Sequence, residues 1–377
     1  MKILKMQIIE HQEIEKNKIS KEFYEFLEEK AKTTKFLSFS KRGNLKANQY
    51  VGIIAFGNEI IEIYPKVSNI DDTIESKQVL MKMLSKVYDL NIDIEDKANL
   101  NKHNYILDFL IEIFILLVED IIKKGIIRDY VLINANEKFL KGRLDISKHI
   151  QKNFIHQERF YVEYDEYLID CLENQIIKTT LYKLLKISKN KELNKKLRQL
   201  FFIFDDVSVI DKSQIKKISF NRLNKHYKKT INLAKLILNN LGLEVFNGEN
   251  EAFSILFDMN KLFEEYFGKV GLNNEYKKSK KYLFKDNTKL LKPDFIKNSE
   301  IYDTKWKIIN SFDDISESDL YQMLSYALKF NTKKVNLVYP FYEINSLPSK
   351  YVKICDKEIE FNFLFYDLKK DWFANRT

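Results

Sequence analysis

The chain has 377 residues, 45% hydrophobic and 31% charged, with a formal net charge of +9. That length suggests about two or three domains, and the scarcity of Gly (9) and Pro (4) favours long helices and regular strands. Two distant cysteines, Cys171 and Cys355, and five scattered histidines argue against a disulfide framework or a zinc site, while the basic excess is compatible with a polyanionic partner.

The start, MKILKMQIIEHQEIEK, lacks an apolar signal core. The most apolar stretch, Tyr105–Val118, is interrupted by Asp108 and Glu112 and is too short to span a bilayer. No membrane partner and a cytoplasmic location are therefore expected.

In chain order, Ser20–Thr33 predicts an amphipathic helix with Phe23, Phe26, Leu27 and Ala31 near one face. Strands follow at Phe36–Ser40, Gln49–Phe56 and Glu59–Tyr64, the last two joined by a Gly57-Asn58 hairpin turn and ended by Pro65. From Ile74 to about Gly242 the pattern is mainly helical: Ser76–Tyr88, Asn104–Lys124, Leu168–Lys186, Lys191–Phe204 and Asn221–Leu241, with Phe139–Asp145 between. Asn247–Asn250 is the expected boundary. Beyond it come a helix at Phe253–Phe267, strands at Lys281–Lys285, Lys289–Ile296 and Glu300–Lys307, a helix at Glu317–Phe330, and strands at Val335–Phe341 and Ile359–Asp367. Ser316 and Asp319 read as a capping box for the second helix. The expected organisation is α+β and multidomain. Residues 1–73 form an α+β region with a hairpin, 74–245 a mainly helical region, and 246–377 a C-terminal α/β domain.

The chemistry concentrates in that last region. Asp294 follows Pro293, a Lys297-Asn298-Ser299 turn comes next, and Asp303-Thr304-Lys305 lies on the returning strand. Alternation puts Asp303 and Lys305 on one face, with Thr304 pointing away from the site. A tight antiparallel turn brings Asp294 beside them. Two carboxylates suit Mg²⁺ (or Mn²⁺), which would polarise a phosphodiester and activate water, while a lysine orients that water or balances charge on phosphorus. A bare acid–acid–lysine pattern also arises by chance in a chain this rich in Lys and Asp, so flanking features matter. On the preceding helix, Phe257, Glu264 and Phe267 share a face, turning Glu264 towards the sheet, whereas Glu265 groups with Asp258 and Lys261. On the following helix, Gln322 and Tyr326 are four apart and share a face. Leu320, Met323, Leu324, Ala327 and Leu328 are the expected core contacts of that helix. Lys277, Lys278, Lys280 and Lys281, set between Tyr276 and Tyr282, would suit a DNA backbone track; a solvated lysine run is the ordinary alternative.

The order Glu264, Pro293-Asp294, Asp303-Thr304-Lys305, Gln322…Tyr326 resembles the PD-(D/E)xK nuclease superfamily, and its QxxxY element is similar to the RecB-like branch. Asp258–Glu264 (DMNKLFE), Asp319–Ala327 (DLYQMLSYA), Gly52–Ile54 through Glu62–Val67, the Leu140–Leu144 segment, Tyr164–Asn174 (YDEYLIDCLEN) and Phe220–Arg222 to Tyr227 together resemble the McrC family over nearly the whole chain. The resemblance implies a restriction-endonuclease-like fold for the last region. It also implies metal binding by Asp294, Asp303 and Glu264, with Lys305 and Gln322 completing the catalytic set, and Tyr326 near the DNA. It further implies a modification-dependent restriction system, 5-methylcytosine by default, with an AAA+ GTPase partner of the McrB type that forms a hexameric ring. Residues before about 245 would dock in that ring and stimulate its GTPase. No GxxxxGK[ST] loop is present, so no nucleotide is expected on this chain alone. Two strand breaks need two sites, which makes dimerisation of the nuclease region an expectation too. A free-standing RecB-like repair nuclease and a non-catalytic activator of an AAA+ ring remain open readings.

Overall fold

A computed structural model describes residues 4–67, 73–90, 106–246, 250–342, 346–354 and 356–374. Strand β1 (Leu4–Ile9) precedes helix α1 (Lys21–Thr33). Ser20 caps α1 by accepting from the Phe23 N–H, and the helix buries Phe23, Tyr24, Phe26 and Leu27. A short ladder of β2 (Leu37–Phe39) and β3 (Leu45–Ala47) follows. Then β4 (Tyr50–Phe56) and β5 (Glu59–Tyr64) form the expected hairpin, Gly57 taking φ +55 in the turn. Helix α2 (Thr73–Val87) comes next.

The chain divides into two compact units, Leu107–Asn239 and Met1–Ile106 with Asn240–Thr377. This division differs from the three consecutive regions expected from sequence, because the second unit is sequentially discontinuous. Of the expected boundary, Asn247–Asn250, residues 247–249 lie outside the described residues and Asn250 begins a strand.

The Leu107–Asn239 unit contains most of α3 (Ile106–Lys124). It continues through β6 (Asp129–Glu137), β7 (Arg143–Leu144), α4 (Ile146–Asn153), β8 (Phe160–Leu168), α5 (Leu172–Ile187), α6 (Lys191–Ile203) and α7 (Lys228–Asn240). A three-stranded sheet in the order β6-β8-β7 stands where the sequence suggested little but helix. The two family-like segments are clasped together. Asn174, fully buried, donates to the carbonyls of Ile127 and Ile169 at 2.9 and 2.7 Å and accepts from the Tyr227 hydroxyl at 3.0 Å. Asn224 donates to Glu173 at 2.7 Å. Buried amides and acids must be satisfied this way, so these residues hold the unit together.

In the other unit, β9 (Leu241–Phe246) and β10 (Asn250–Asp258) complete a five-stranded sheet in the order β1-β5-β4-β10-β9. This corrects the helix expected over Phe253–Phe267. Phe253, Ile255 and Phe257 are buried at every second position, the spacing of a strand face, and β10 pairs with β4 in the register Ile255↔Ile53, Phe257↔Val51. Gly52 shows how close the two strands lie. At φ +137, an added Cβ would meet the Ile255 carbonyl oxygen at 2.0 Å. Only after the strand does Asp258 cap helix α8 (Met259–Tyr266), accepting from the Asn260 N–H.

The sequence then forms β11 (Lys281–Tyr282) and β12 (Leu290–Leu291), a two-stranded arm. Next come β13 (Phe295–Lys297), β14 (Glu300–Thr304), α9 (Glu317–Phe330), β15 (Lys334–Pro340), β16 (Lys350–Ile354), β17 (Lys357–Asp367) and β18 (Trp372–Phe373). The single strand expected at Lys289–Ile296 is split around Lys292-Pro293-Asp294, since Pro293 has no N–H for a ladder. Strands β13-β14-β15-β17-β16, with β18 on β17, make a six-stranded sheet whose β14, β15 and β17 run parallel. Ile301, Val335, Leu337, Phe361, Phe363 and Phe365 pack there with Met323, Tyr326 and Ala327 of α9. Leu328, expected in that core, is 43% exposed. Among the described residues no helix is long and apolar enough to cross a membrane.

Candidate acid–lysine site

Asn298 and Ser299, both at positive φ (51 and 64), make the tight turn between β13 and β14. That turn fixes the register Phe295↔Tyr302 and Lys297↔Glu300, so Asp294, just before β13, arrives beside the end of β14. Its Oδ2 accepts from the Thr304 backbone N–H at 2.8 Å and the Thr304 hydroxyl at 2.7 Å. Thr304 therefore does not point away from the site, as alternation suggested; its hydroxyl helps anchor Asp294, because the partner strand lies within reach of its side chain.

Beyond β14, the Lys305 N–H donates to the Val338 carbonyl at 2.9 Å, extending the ladder with β15. Asp303 and Lys305 do share a face, with Lys305 Nζ 2.7 Å from Asp303 Oδ2. That contact is a charge-assisted pair made by a carboxylate only 2% exposed. Lys305 Nζ donates to Gln322 Oε1 at 2.9 Å, Gln322 Nε2 donates to the Tyr326 hydroxyl at 2.9 Å, and that hydroxyl donates to the Lys292 carbonyl at 3.1 Å. Thus α9 presents Gln322 and Tyr326 on one face, and Tyr326 closes the chain of bonds onto the segment leading to Asp294.

Glu264 stands apart from this group, paired with Lys278 at 2.8 Å. The helical-face argument that included Phe257 fails, since Phe257 is in β10, yet Glu264 still acts electrostatically on both aspartates. Lys277 and Lys280 are exposed. Lys281 turns to the end of α9, donating to the Lys329 carbonyl at 3.3 Å, with its ammonium 4.8 Å from the Phe330 ring centroid.

Burial pushes the Asp294 carboxyl up to about 7, reinforced by the charges of Asp303 and Glu264. Burial also raises Asp303, against the pull of Lys305. Burial alone would lower Lys305, but Asp303, Asp319 and Asp294 outweigh it and hold the ammonium above its usual range. Acids crowded in a low dielectric lack enough positive charge to ionise together. A divalent cation would satisfy that deficit. Among the described residues, no three His, Cys, Asp or Glu side chains gather as a metal-holding group. Mg²⁺ keeps several waters and binds through one or two carboxylates, so its fit here rests on the raised acid pair alone.

Two features were not singled out from sequence. Asp319 does more than begin a helix, since its carboxylate lies 2.6 Å from Lys307 Nζ and 3.7 Å from Lys305 Nζ. The Ser316 cap is real, its hydroxyl accepting from the Asp319 N–H at 3.3 Å. The second feature is Glu10, 2% exposed, whose Oε1 accepts from Trp306 Nε1 at 2.8 Å, one residue beyond Lys305. No local pattern signals a contact between residues 296 positions apart.

Burial raises the Glu10 carboxyl to about 7, opposed by the Lys66 and Trp306 N–H donors and the Lys66 charge; His11 Nε2 lies 3.9 Å from Oε2. Folding therefore favours the protonated acid. The stability it contributes is complete below about pH 4.5 and is lost as pH rises through about 7. In thermal melts, Glu10→Gln is expected to gain on the wild type progressively across that window; a constant difference would refute the linkage.

The site is a buried acid pair beside a glutamine-held lysine at the end of a mixed sheet. A family model described as "McrBC 5-methylcytosine restriction system component" matches residues 45–340, and the chain belongs to that family. It is similar to a chain of the Thermococcus gammatolerans assembly of McrB AAA+ hexamers with bound McrC, at 24% identity and TM-score 0.62, covering 97% of this chain and 95% of that one. A cryo-EM structure of the T. gammatolerans McrBC complex contains a chain 27% identical, with TM-score 0.51, covering 72% of this chain and 88% of that one. A search of curated proteins gave no match.

Proposed function

We propose that this chain is the Mg²⁺-dependent endonuclease subunit of a modification-dependent restriction system, working with an AAA+ GTPase ring of the McrB type. The observation that carries the nuclease assignment is the grouping of Asp294, Asp303, Lys305 and Gln322, built on two adjacent strands and one helix. Family membership and likeness to chains from McrBC assemblies support the partner.

In this reading residues 246–377 carry a PD-(D/E)xK nuclease domain. Asp294 and Asp303 would hold the ion, with Glu264 contributing negative charge from its edge. When bound, the ion supplies Lewis acidity and lowers the pKa of water. Thr304 fixes the Asp294 rotamer. Gln322, itself fixed by Tyr326, aims the Lys305 ammonium, which orients the attacking water or offsets charge gathering on phosphorus. The exposed Lys277 and Lys280, with Lys278 and Lys281 beside them, would follow the DNA backbone. The ring-directed role falls to residues before about 245, and cutting both strands calls for two nuclease regions on one DNA.

The test is an assay of the chain with its cognate ring, GTP, methylated DNA and Mg²⁺ or Mn²⁺. Ring-dependent double-strand cleavage is the expected result. Cleavage by the chain alone would favour a free-standing repair nuclease. No cleavage with either metal, alongside stimulated GTP hydrolysis, would leave a non-catalytic activator.

A further inference from the structure

Glu10 follows β1 and is fastened to β5 by its own backbone, its N–H donating to the Tyr64 carbonyl at 2.8 Å. Its Oε1 accepts two hydrogen bonds, from the Lys66 N–H and from Trp306 Nε1, both at 2.8 Å. Oε2 is buried without a hydrogen-bond partner. A buried acid with one oxygen lacking a partner is a costly way to join two chain segments, whether it is ionised or protonated.

Trp306 sits where the chain changes direction. The Lys307 N–H donates back to the Lys305 carbonyl at 2.9 Å, so Trp306 is the middle residue of a three-residue turn. The turn sends Lys305 towards Asp303 and Gln322, and Lys307 towards Asp319. The indole is 7% exposed and meets the Phe263 ring edge-on, with centroids 5.4 Å apart. Phe263 immediately precedes Glu264. The indole is therefore gripped by Glu10 on its N–H and braced by α8 against its ring.

We propose that Glu10 is a positioning residue for Lys305, acting through Trp306 and tying the N-terminal sheet to the acid–lysine cluster. The idea rests on the nuclease reading above. It makes the placement of the ammonium depend on the residues that follow β1, far upstream in sequence. A misplacement of about 1 Å at a reacting group can cost on the order of 100-fold in rate, so a modest shift of the turn would be visible in turnover.

Three variants separate positioning from simple stapling. Glu10→Ala removes the acceptor, Trp306→Phe removes the donor while keeping a ring, and Glu10→Gln keeps an acceptor oxygen. Each is compared with wild type in cleavage by the complete complex and by crystal structure. Glu10→Ala and Trp306→Phe are expected to lower kcat about tenfold or more, with KM for DNA within about twofold. In their structures, Lys305 Nζ should move beyond about 3.5 Å from Gln322 Oε1. Glu10→Gln should remain within about threefold of wild type, with Lys305 in place. An unmoved Lys305 in Trp306→Phe, or equal damage from Glu10→Gln and Glu10→Ala, would overturn the proposal. If Glu10→Ala fails to fold, Trp306→Phe carries the test. If wild type does not cut, the nuclease reading falls, and Lys305 placement in the variant structures still decides the positioning claim.

Discussion

Lys305→Ala is expected to reduce DNA cleavage by about 10³-fold while leaving partner GTP hydrolysis within about twofold. The first figure follows from losing a preorganised donor at a developing oxyanion, on the order of 3–4 kcal/mol. Lys305 is held by Gln322 and stands beside Asp303 in a buried setting, so water cannot easily replace its charge. Its removal also withdraws the cation that counters the rise at Asp303, making the acid pair harder to ionise and metal binding weaker at neutral pH. Asp303→Ala should be equally inactive by a different route, losing a buried carboxylate of the acid pair while Lys305 retains Gln322 and Asp319. The check is parallel measurement of strand cleavage and ring-dependent GTPase rate on the same purified complexes. Loss of both activities in a folded variant would sink the division of labour between the two ends of the chain.

A fragment of residues 246–377 should not fold on its own, although sequence reading placed a domain there. It would begin at the last residue of β9, in a sheet whose strands β1, β5 and β4 lie near the N-terminus. Phe253, Ile255 and Phe257 are at most 9% exposed in the whole chain; without β4, their strand loses its partner and its place in the sheet. Each buried side chain of this size is worth about 1.5–3 kcal/mol, against about 5–15 kcal/mol for an entire domain. The fragment also loses the Lys82–Asp371 pair at 2.9 Å, the Lys369–Glu75 pair at 2.5 Å and the Glu10 acceptor of Trp306. Circular dichroism on heating should show no cooperative transition. A chain with residues 107–239 replaced by a flexible linker keeps every strand of the five-stranded sheet and should melt cooperatively. A sharp transition in the 246–377 fragment would show that the N-terminal strands are dispensable.

The site was legible because its parts are local. Asp294, the Asn298-Ser299 turn, Asp303 and Lys305 span a short hairpin, and a period of two puts the last pair on one face. Gln322 and Tyr326 are one helical turn apart, and they do bond. Thr304 was misread because alternation sorts side chains by sheet face and says nothing of the short lateral reach to a neighbouring strand. Strand β10 was misread because Phe253, Ile255 and Phe257 run directly into the apolar helix that Asp258 caps. The cue was Gly52, whose absent side chain marks a close backbone approach without naming the residue that approaches. Glu10 gave no cue, since a buried acid is indistinguishable from a surface one until its partner, Trp306, is placed.

The discontinuous sheet also has a temporal side. Strand β4 is made early, but β10, which covers its edge, emerges only after residue 250. At about 5–20 residues per second, the interval after Tyr64 is roughly 10–40 s. Throughout that interval β4, paired with β5 on one side, shows its other edge unpaired, a template for pairing with any neighbouring chain. Residues 107–239 can collapse on the ribosome meanwhile, because that unit is contiguous in sequence. The acid–lysine cluster draws on Asp294 through Tyr326, so a translation product that stops before them lacks the cluster.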